Sequence, residues 1–332
     1  MLRLITFALA LITVSAHAAD TNLLTKIRSP IILKGDAHHA FRDPILARVN
    51  GKFMLIYSYV VTDPDQRVYW YTAWSTSSDF QHWTAPYIFT PKSQDLNYSS
   101  PGSLTRIGNE WVLTLQTIPM NNVRLTDPPP IHWPEEHSRL FTMRTRDFKT
   151  WSKPELIRVK GPNVAEKDMG KMIDPFLIAD KDHPGHWRIF FKQNGHLFQS
   201  TSPDLKTWTF HPEPIAKGEN PEVIVDHGDY LLFYSPENGT GVLRSHDGIT
   251  WHEDQPPIVL GQKDWPYAET RITAGYVADM RNLPNIGKYV FVTHTMGPGK
   301  TKTNLNVLAN CNIVIGWSDD LKHWHWPGEK YP

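Results

Sequence analysis

Short runs of alternating apolar and polar residues fill most of the chain, and they come in pairs. Residues 43–49 and 52–58 flank Asn50-Gly51, a dipeptide that favours a two-residue hairpin turn. In the same way 102–107 pairs with 111–115, 175–180 with 187–191, 222–225 with 230–234, and 272–280 with 289–293. The pattern predicts antiparallel hairpins along the whole length.

A longer period overlies the hairpins. The signature Ser/Thr-x-Asp-x-x-x-Trp occurs as Ser77-Ser-Asp79-Phe-Gln-His-Trp83, Thr145-Arg-Asp147-Phe-Lys-Thr-Trp151, Ser202-Pro-Asp204-Leu-Lys-Thr-Trp208, Ser245-His-Asp247-Gly-Ile-Thr-Trp251 and Ser318-Asp-Asp320-Leu-Lys-His-Trp324. Ser and Asp side chains bind backbone N–H groups in tight turns, and the Trp is then placed to pack between neighbouring sheets. Each unit reads strand, strand, strand, Asp–Trp corner, strand. Five units predict an all-β, five-bladed β-propeller with four-stranded antiparallel blades around a central axial pocket. No linker or composition shift interrupts it, so residues 19–332 read as a single catalytic domain. After Trp324 the chain nearly ends, and the Pro-containing segment 29–35 is expected to supply the missing strand of the fifth blade.

Composition agrees with this reading. Thirteen Trp, twelve Tyr and 27 Pro in 332 residues favour strands over long helices. Lys plus Arg and Asp plus Glu are both 34, so no basic field exists to draw nucleic acid or an anionic membrane surface. A basic start, an apolar run over residues 4–14 and Ala16-His-Ala18 together read as a secretory signal peptide, residues 1–18. The run is too short to span a bilayer, so the mature chain is expected to be secreted or periplasmic with no membrane insertion. The single cysteine, Cys311, excludes an internal disulfide and reads as a buried strand residue.

Candidate chemistry sits where the inner strands begin, because those positions converge on the axis of a propeller. The five entrances read Arg42-Asp43-Pro44, Ser100-Pro101-Gly102, Ile173-Asp174-Pro175, Glu219-Asn220-Pro221 and Glu269-Thr270-Arg271. Three of them set an acid at or beside a Pro. Carboxylates crowded at one pocket repel, so at least one should keep its proton near neutral pH. A facing acid and base are the apparatus of glycoside hydrolysis. Arg42 and Arg271 could balance charge or hold sugar hydroxyls. His39, with His38, and the aromatic residues Tyr98 and Trp133 are candidates for sugar contacts.

These motifs resemble the family 43 glycoside hydrolases and their relatives in the five-bladed furanosidase/xylosidase superfamily. The resemblance rests on Arg42-Asp43-Pro-Ile-Leu with Gly51–Ser58, on Met172-Ile-Asp174-Pro-Phe-Leu with Trp187–Phe191, and on Gly218-Glu219-Asn-Pro-Glu-Val with Gly228–Ser235. It implies Asp43 as general base, Asp174 as the residue that tunes and orients the acid, and Glu219 as general acid. Asn220 stands where the family usually has Gly or Ala, which keeps Glu222 open as an alternative acid. Some arabinanases place a His in the fifth blade near a bound ion, and no clear counterpart is visible in the sequence. An axial calcium is therefore possible but unsupported, and neither a cofactor nor a metal ligand is assigned.

The implied activity is single-displacement, inverting hydrolysis of a plant or algal glycan, an arabinofuranoside or xyloside foremost. Two alternatives stay open: a non-catalytic carbohydrate-binding propeller, and a hydrolase of agar oligosaccharides like those of family 117, which use a His acid. A sialidase would need six blades and an arginine triad. A phosphorylase would need a cluster of basic residues at the pocket, and none is evident from the sequence.

Overall fold

The computed structural model describes residues 22–128 and 137–329. The expected signal peptide and Trp133 lie outside the described residues. Five antiparallel sheets form the five blades. Blade 1 comprises His39–Val49, Lys52–Thr62, Val68–Ser77 and Tyr87–Ile88. Blade 2 comprises Leu104–Ile107, Glu110–Gln116, Leu140–Thr145 and Glu155–Leu156. Blade 3 comprises Ile173–Ala179, Trp187–Gln193, His196–Ser202 and Thr209–Lys217, and blade 4 Glu219–Asp226, Asp229–Ser235, Thr240–Ser245 and His252–Ile258. Blade 5 comprises Arg271–Asp279, Tyr289–Met296 and Asn312–Ser318, whose outer edge is covered by two segments: Ile31–Leu33 from the N-terminal side and Trp324–His325 from the C-terminal side. The expected closure is thus the one found, and both ends of the chain share it.

The hairpins follow from local chemistry. Asn50 and Gly51 both take left-handed φ, 48° and 76°, as a type I′ turn requires. At each Asp–Trp corner one carboxylate oxygen accepts two successive N–H groups. Asp147 Oδ1 takes those of Lys149 and Thr150, both at 2.8 Å, and Asp320 Oδ1 those of Lys322 and His323 at 2.9 and 2.8 Å. The corner Trp residues then lock each blade to the one before it. Trp151 stacks on Phe89, just past the last strand of blade 1, at 4.4 Å, Trp208 shares a buried cluster with Val112 of blade 2, and Trp251 meets Phe190 of blade 3 edge-on. Cys311 is buried as expected, but it immediately precedes the Asn312–Ser318 strand rather than lying in it.

One feature of the backbone was not expected and sets the whole site. The inner strand of every blade carries a left-handed residue near its start, or in blade 2 just before it: Asp43, Ser100, Asp174, Asn220 and Ala274, with φ between 46° and 57°. In blades 1, 3, 4 and 5 the inner ladder slips register across this point. A β-bulge of this kind re-aims side chains at a rim, and for a residue with a Cβ it costs about 1–2 kcal/mol. The bulge, rather than a proline, defines each entrance. The fifth entrance is therefore Thr273-Ala274-Gly275, not Glu269-Thr270-Arg271, and the second is centred one residue earlier, on Ser100.

Candidate active site

The bulges deliver Asp43 and Asp174 to the axis from blades 1 and 3, and Glu219 arrives from the residue preceding the bulge in blade 4. All three line one pocket of about 300 Å³ at the axial mouth, together with Arg42, Trp70, Gln116 and Arg271. Lys171, Lys192 and Lys302 complete its charged lining.

Asp43 is buried and firmly oriented. Ser58 Oγ and Ser100 Oγ donate to its Oδ2 at 2.8 and 3.1 Å. Its backbone N–H donates to Nδ1 of His294 at 3.2 Å, and the same nitrogen lies 3.7 Å from Asp43 Oδ1. Because Nδ1 accepts, the proton of the neutral ring is on Nε2. Burial, and then the charges of Arg42, Arg271 and Lys302, hold the His294 imidazolium well below its ordinary pKa, so the ring stays neutral.

Asp174 and Glu219 form a coupled pair with opposite environments. Asp174 is buried, its N–H donates to Gln116 Oε1, and its Oδ2 accepts the N–H of Asn220 at 3.1 Å. Burial raises its carboxyl to about 7, with the negative charges of Glu219 and Asp43 adding to the rise and Lys192 opposing it. Burial would raise Glu219 as well, but Lys192 Nζ at 2.6 Å and Arg271 NH1 at 2.5 Å outweigh it and bring that carboxyl down to about 2. The expectation of one proton retained among crowded carboxylates is met by Asp174, whereas Glu219 is held as a carboxylate.

The other candidate positions separate cleanly. Glu222 does not line this pocket. It lies deeper on the axis, where both its oxygens accept the N–H of Val277 at 2.8 and 2.7 Å, and burial pushes its carboxyl well up. Arg42 and Arg271 do line the pocket. His39 does not: its ring is held by Asp36 at 2.9 Å and stacks on Tyr59. Tyr98 packs edge-on against Phe141, between the first two blades, rather than facing the pocket. The aromatic wall of the pocket is Trp70, an inner residue of a strand whose sequence gave no functional signal. His294, a buried histidine of the fifth blade, gave no signal in the sequence, concealed as it is in the apolar run of the Tyr289–Met296 strand. The expected lack of a basic cluster is also overturned, because five cationic side chains from separate segments meet here. Among the described residues no three His, Cys, Asp or Glu side chains converge as metal ligands.

No family model matches the sequence, and no curated protein matches it. Solved structures do match across nearly the whole chain. A glycosyl hydrolase from Bacteroides ovatus is 13% identical with a TM-score of 0.61, covering 93% of this chain and 94% of that one. An exo-1,5-α-L-arabinanase from a bovine ruminal metagenomic library is 15% identical with a TM-score of 0.57, covering 88% and 98%. A structure from family 130, described as mannoside phosphorylases containing hydrolases of β-1,2-mannosidic linkages in Candida mannan, is 15% identical with a TM-score of 0.54, covering 89% and 87%. Likeness at this level of identity defines the class by architecture: a five-bladed propeller whose solved neighbours are glycoside hydrolases and their relatives, as the resemblance to family 43 implies.

Proposed function

We propose that the chain is an exported glycoside hydrolase that cleaves plant or algal glycans at the axial pocket. The observation that carries this is the convergence of Asp43, Asp174 and Glu219, from three blades, on one pocket in three different hydrogen-bonding environments. Differently tuned carboxyls are what acid–base hydrolysis requires. In this reading Asp43, oriented by Ser58 and Ser100, takes a proton from water as that water attacks the anomeric carbon. The leaving oxygen receives its proton from the Asp174–Glu219 pair, in which Asp174 stores the proton and Glu219 stands as its partner. Attack and departure occur on opposite faces, so the anomeric configuration inverts. The fold shared with solved glycoside hydrolases supports the reading without deciding the sugar.

The test is sugar release from arabinan, arabinoxylan, xylan, galactan, agar and uronic-acid-bearing oligosaccharides, with Asp43→Asn alongside. Release by the native chain alone, with the product's initial anomer opposite to that of the substrate, supports the proposal. Retention of configuration would overturn the mechanism. Glycan binding without release by either protein would replace the hydrolase with a binding propeller.

A further inference from the structure

The chain as a whole is neutral, yet its pocket is not. Arg42, Lys171, Lys192, Arg271 and Lys302 line it against three carboxyls, one of which, Asp174, retains its proton near neutral pH. These cations come from blades 1, 3 and 5 and from the segments between strands, so no single element accounts for them. The hydroxyls of a neutral sugar need hydrogen-bond donors and acceptors in mixture, not a surplus of cations. A concentration of Lys and Arg around a small concave site is the arrangement that recognises an oxyanion.

Their existing contacts show which side chains are available. Arg42 is committed: NH1 donates to the Val307 carbonyl, and its guanidinium lies 5.0 Å from the Trp70 ring centroid. Arg271 spans Glu219 Oε1 and the Pro236 carbonyl. Lys302 stands exposed at the rim, and among the described residues no carboxylate is paired with it. Burial of its stem, and then the facing charges of Arg271 and Arg42, hold its ammonium below the ordinary range, with Glu219 opposing. Like charges are thus stacked at the mouth, and an anion would relieve them.

We propose that the pocket takes an oxyanion as part of its substrate, a carboxylate or sulfate on the sugar unit that enters, received by Lys302 and Arg271 beside Glu219. This rests on the hydrolase reading and narrows its substrate to charged glycans. It also gives the pair a chemical purpose. An anion that draws Arg271 and Lys192 away from Glu219 weakens the two contacts that hold Glu219 ionised, so Glu219 can then share the proton of Asp174. A charged substrate would complete its own proton donor, and a neutral one would leave Glu219 locked between its cations.

The same oxyanion chemistry could come from free phosphate. Phosphate would then replace water: one of its oxygens bonds to the anomeric carbon as the glycosidic C–O bond breaks, and the leaving oxygen takes the proton from the Asp174–Glu219 pair.

The experiment is calorimetric binding of glucuronate against glucose, galactose 6-sulfate against galactose, and inorganic phosphate, followed by cleavage assays on charged oligosaccharides and their carboxyl-reduced or desulfated counterparts. At least one charged sugar is expected to bind tenfold or more tightly than its neutral partner. Lys302→Gln, a rim change that leaves the melting temperature unmoved, and Arg271→Gln are each expected to erase most of that preference. Equal binding of charged and neutral sugars, or a preference that survives both substitutions, overturns the proposal. Release of a sugar 1-phosphate from a neutral oligosaccharide in phosphate overturns the assignment to the sugar and makes phosphate the anion. Charged-sugar preference with no cleavage of any substrate leaves the anion site standing and removes the hydrolase reading. Cleavage of neutral glycans with no preference for charge does the reverse.

Discussion

The backbone N–H of Asn220 donates to Asp174 Oδ2 at 3.1 Å, so the residue directly after Glu219 holds the Asp174 carboxyl in place. One peptide unit ties blade 4 to blade 3 at the centre of the pocket. The left-handed bulge at Asn220 makes this contact, because it turns that N–H out of its own ladder and toward the axis. A substituted entrance, with Asn where the resemblance leads one to expect Gly or Ala, still serves the geometry, since Asn tolerates left-handed φ better than most side chains.

Glutamine substitutions separate the two glutamates. Glu219→Gln keeps the shape but cannot exchange a proton and loses the charge that Lys192 and Arg271 embrace. Hydrolysis is expected to fall by about 10²–10⁴-fold, the range for removing a general acid. Glu222 is buried and raised, hence protonated, so Glu222→Gln resembles the native state and should keep activity within a few-fold. The sign of its effect on stability is also fixed. A carboxyl whose folded pKa lies above its unfolded value loses stability as pH rises from about 4.5 through the folded value. Urea midpoints of the native chain should therefore drop more between pH 6 and pH 9 than those of Glu222→Gln. Equal activity losses in both variants would remove the distinction drawn between the pocket and the deeper axis.

The pH profile should carry the Asp174–Glu219 pair as its basic limb. With Asp174 raised to about 7, the store of protons empties above neutrality, and kcat/KM should decline towards tenfold per pH unit beyond that point. In stability Asp174 acts with the same sign, losing its folded-state advantage as pH rises from about 4 towards 7, whereas the lowered Glu219 acts oppositely and loses its contribution as pH falls from about 4.5 towards 2. Asp174→Asn should abolish the limb together with most of the activity. A limb that persists unchanged in Asp174→Asn would assign it to another group.

The sequence disclosed the blades more fully than the pocket, and the reason lies in what each depends on. Hairpins such as the one at Asn50-Gly51 and corners such as Asp147–Trp151 are local: their hydrogen bonds connect residues two or three apart, so their signatures lie in short words of sequence. The bulge at Ala274 is equally local but carries no acid and no proline, and the fifth entrance was accordingly placed several residues early. Trp70, His294 and Lys302 become functional neighbours only when blades 1 and 5 close side by side. Nothing in the residues adjoining each of them in the chain records that meeting.

His294 anchors Asp43 by accepting its N–H, and this role can be told apart from simple packing. His294→Leu leaves a buried donor without a partner, at a cost of about 1–3 kcal/mol, and frees the Asp43 backbone at its bulge. His294→Asn places a side-chain oxygen near the position of Nδ1. Activity should therefore be lost in the leucine variant and partly recovered in the asparagine variant, with kcat recovering more than KM. Because the buried ring is held neutral, its contribution to stability is present above about pH 6.5 and is lost as pH falls, and both variants should flatten that acid arm. Identical kinetics in the two variants would mean that His294 merely fills space.

Closure by the N-terminal segment accounts for how a ring with two free ends holds together. Ile31 and Leu33 pair with Val314 and Ile313, and the Pro30 carbonyl accepts the N–H of Ile315 at 2.9 Å. Leu24, Ile27 and Ile32 are buried in the cluster that joins blade 5 to blade 1. Removing residues 20–35 from the mature chain exposes those three side chains' contacts and an unpaired edge of the Asn312–Ser318 strand. At roughly 1.5–3 kcal/mol for each buried side chain, the loss is about 5 kcal/mol, enough to lower the melting temperature by about 10 °C or more in a domain of this size. The C-terminal pair Trp324–His325 forms its strand pairing at the other end of the same edge, at Ser318 and Trp317, and cannot take over the missing pairing. The exposed edge should also self-associate, visible as concentration-dependent light scattering during the melt. A truncated chain that melts cooperatively at the native temperature would show that the ring is closed by blade-to-blade packing alone.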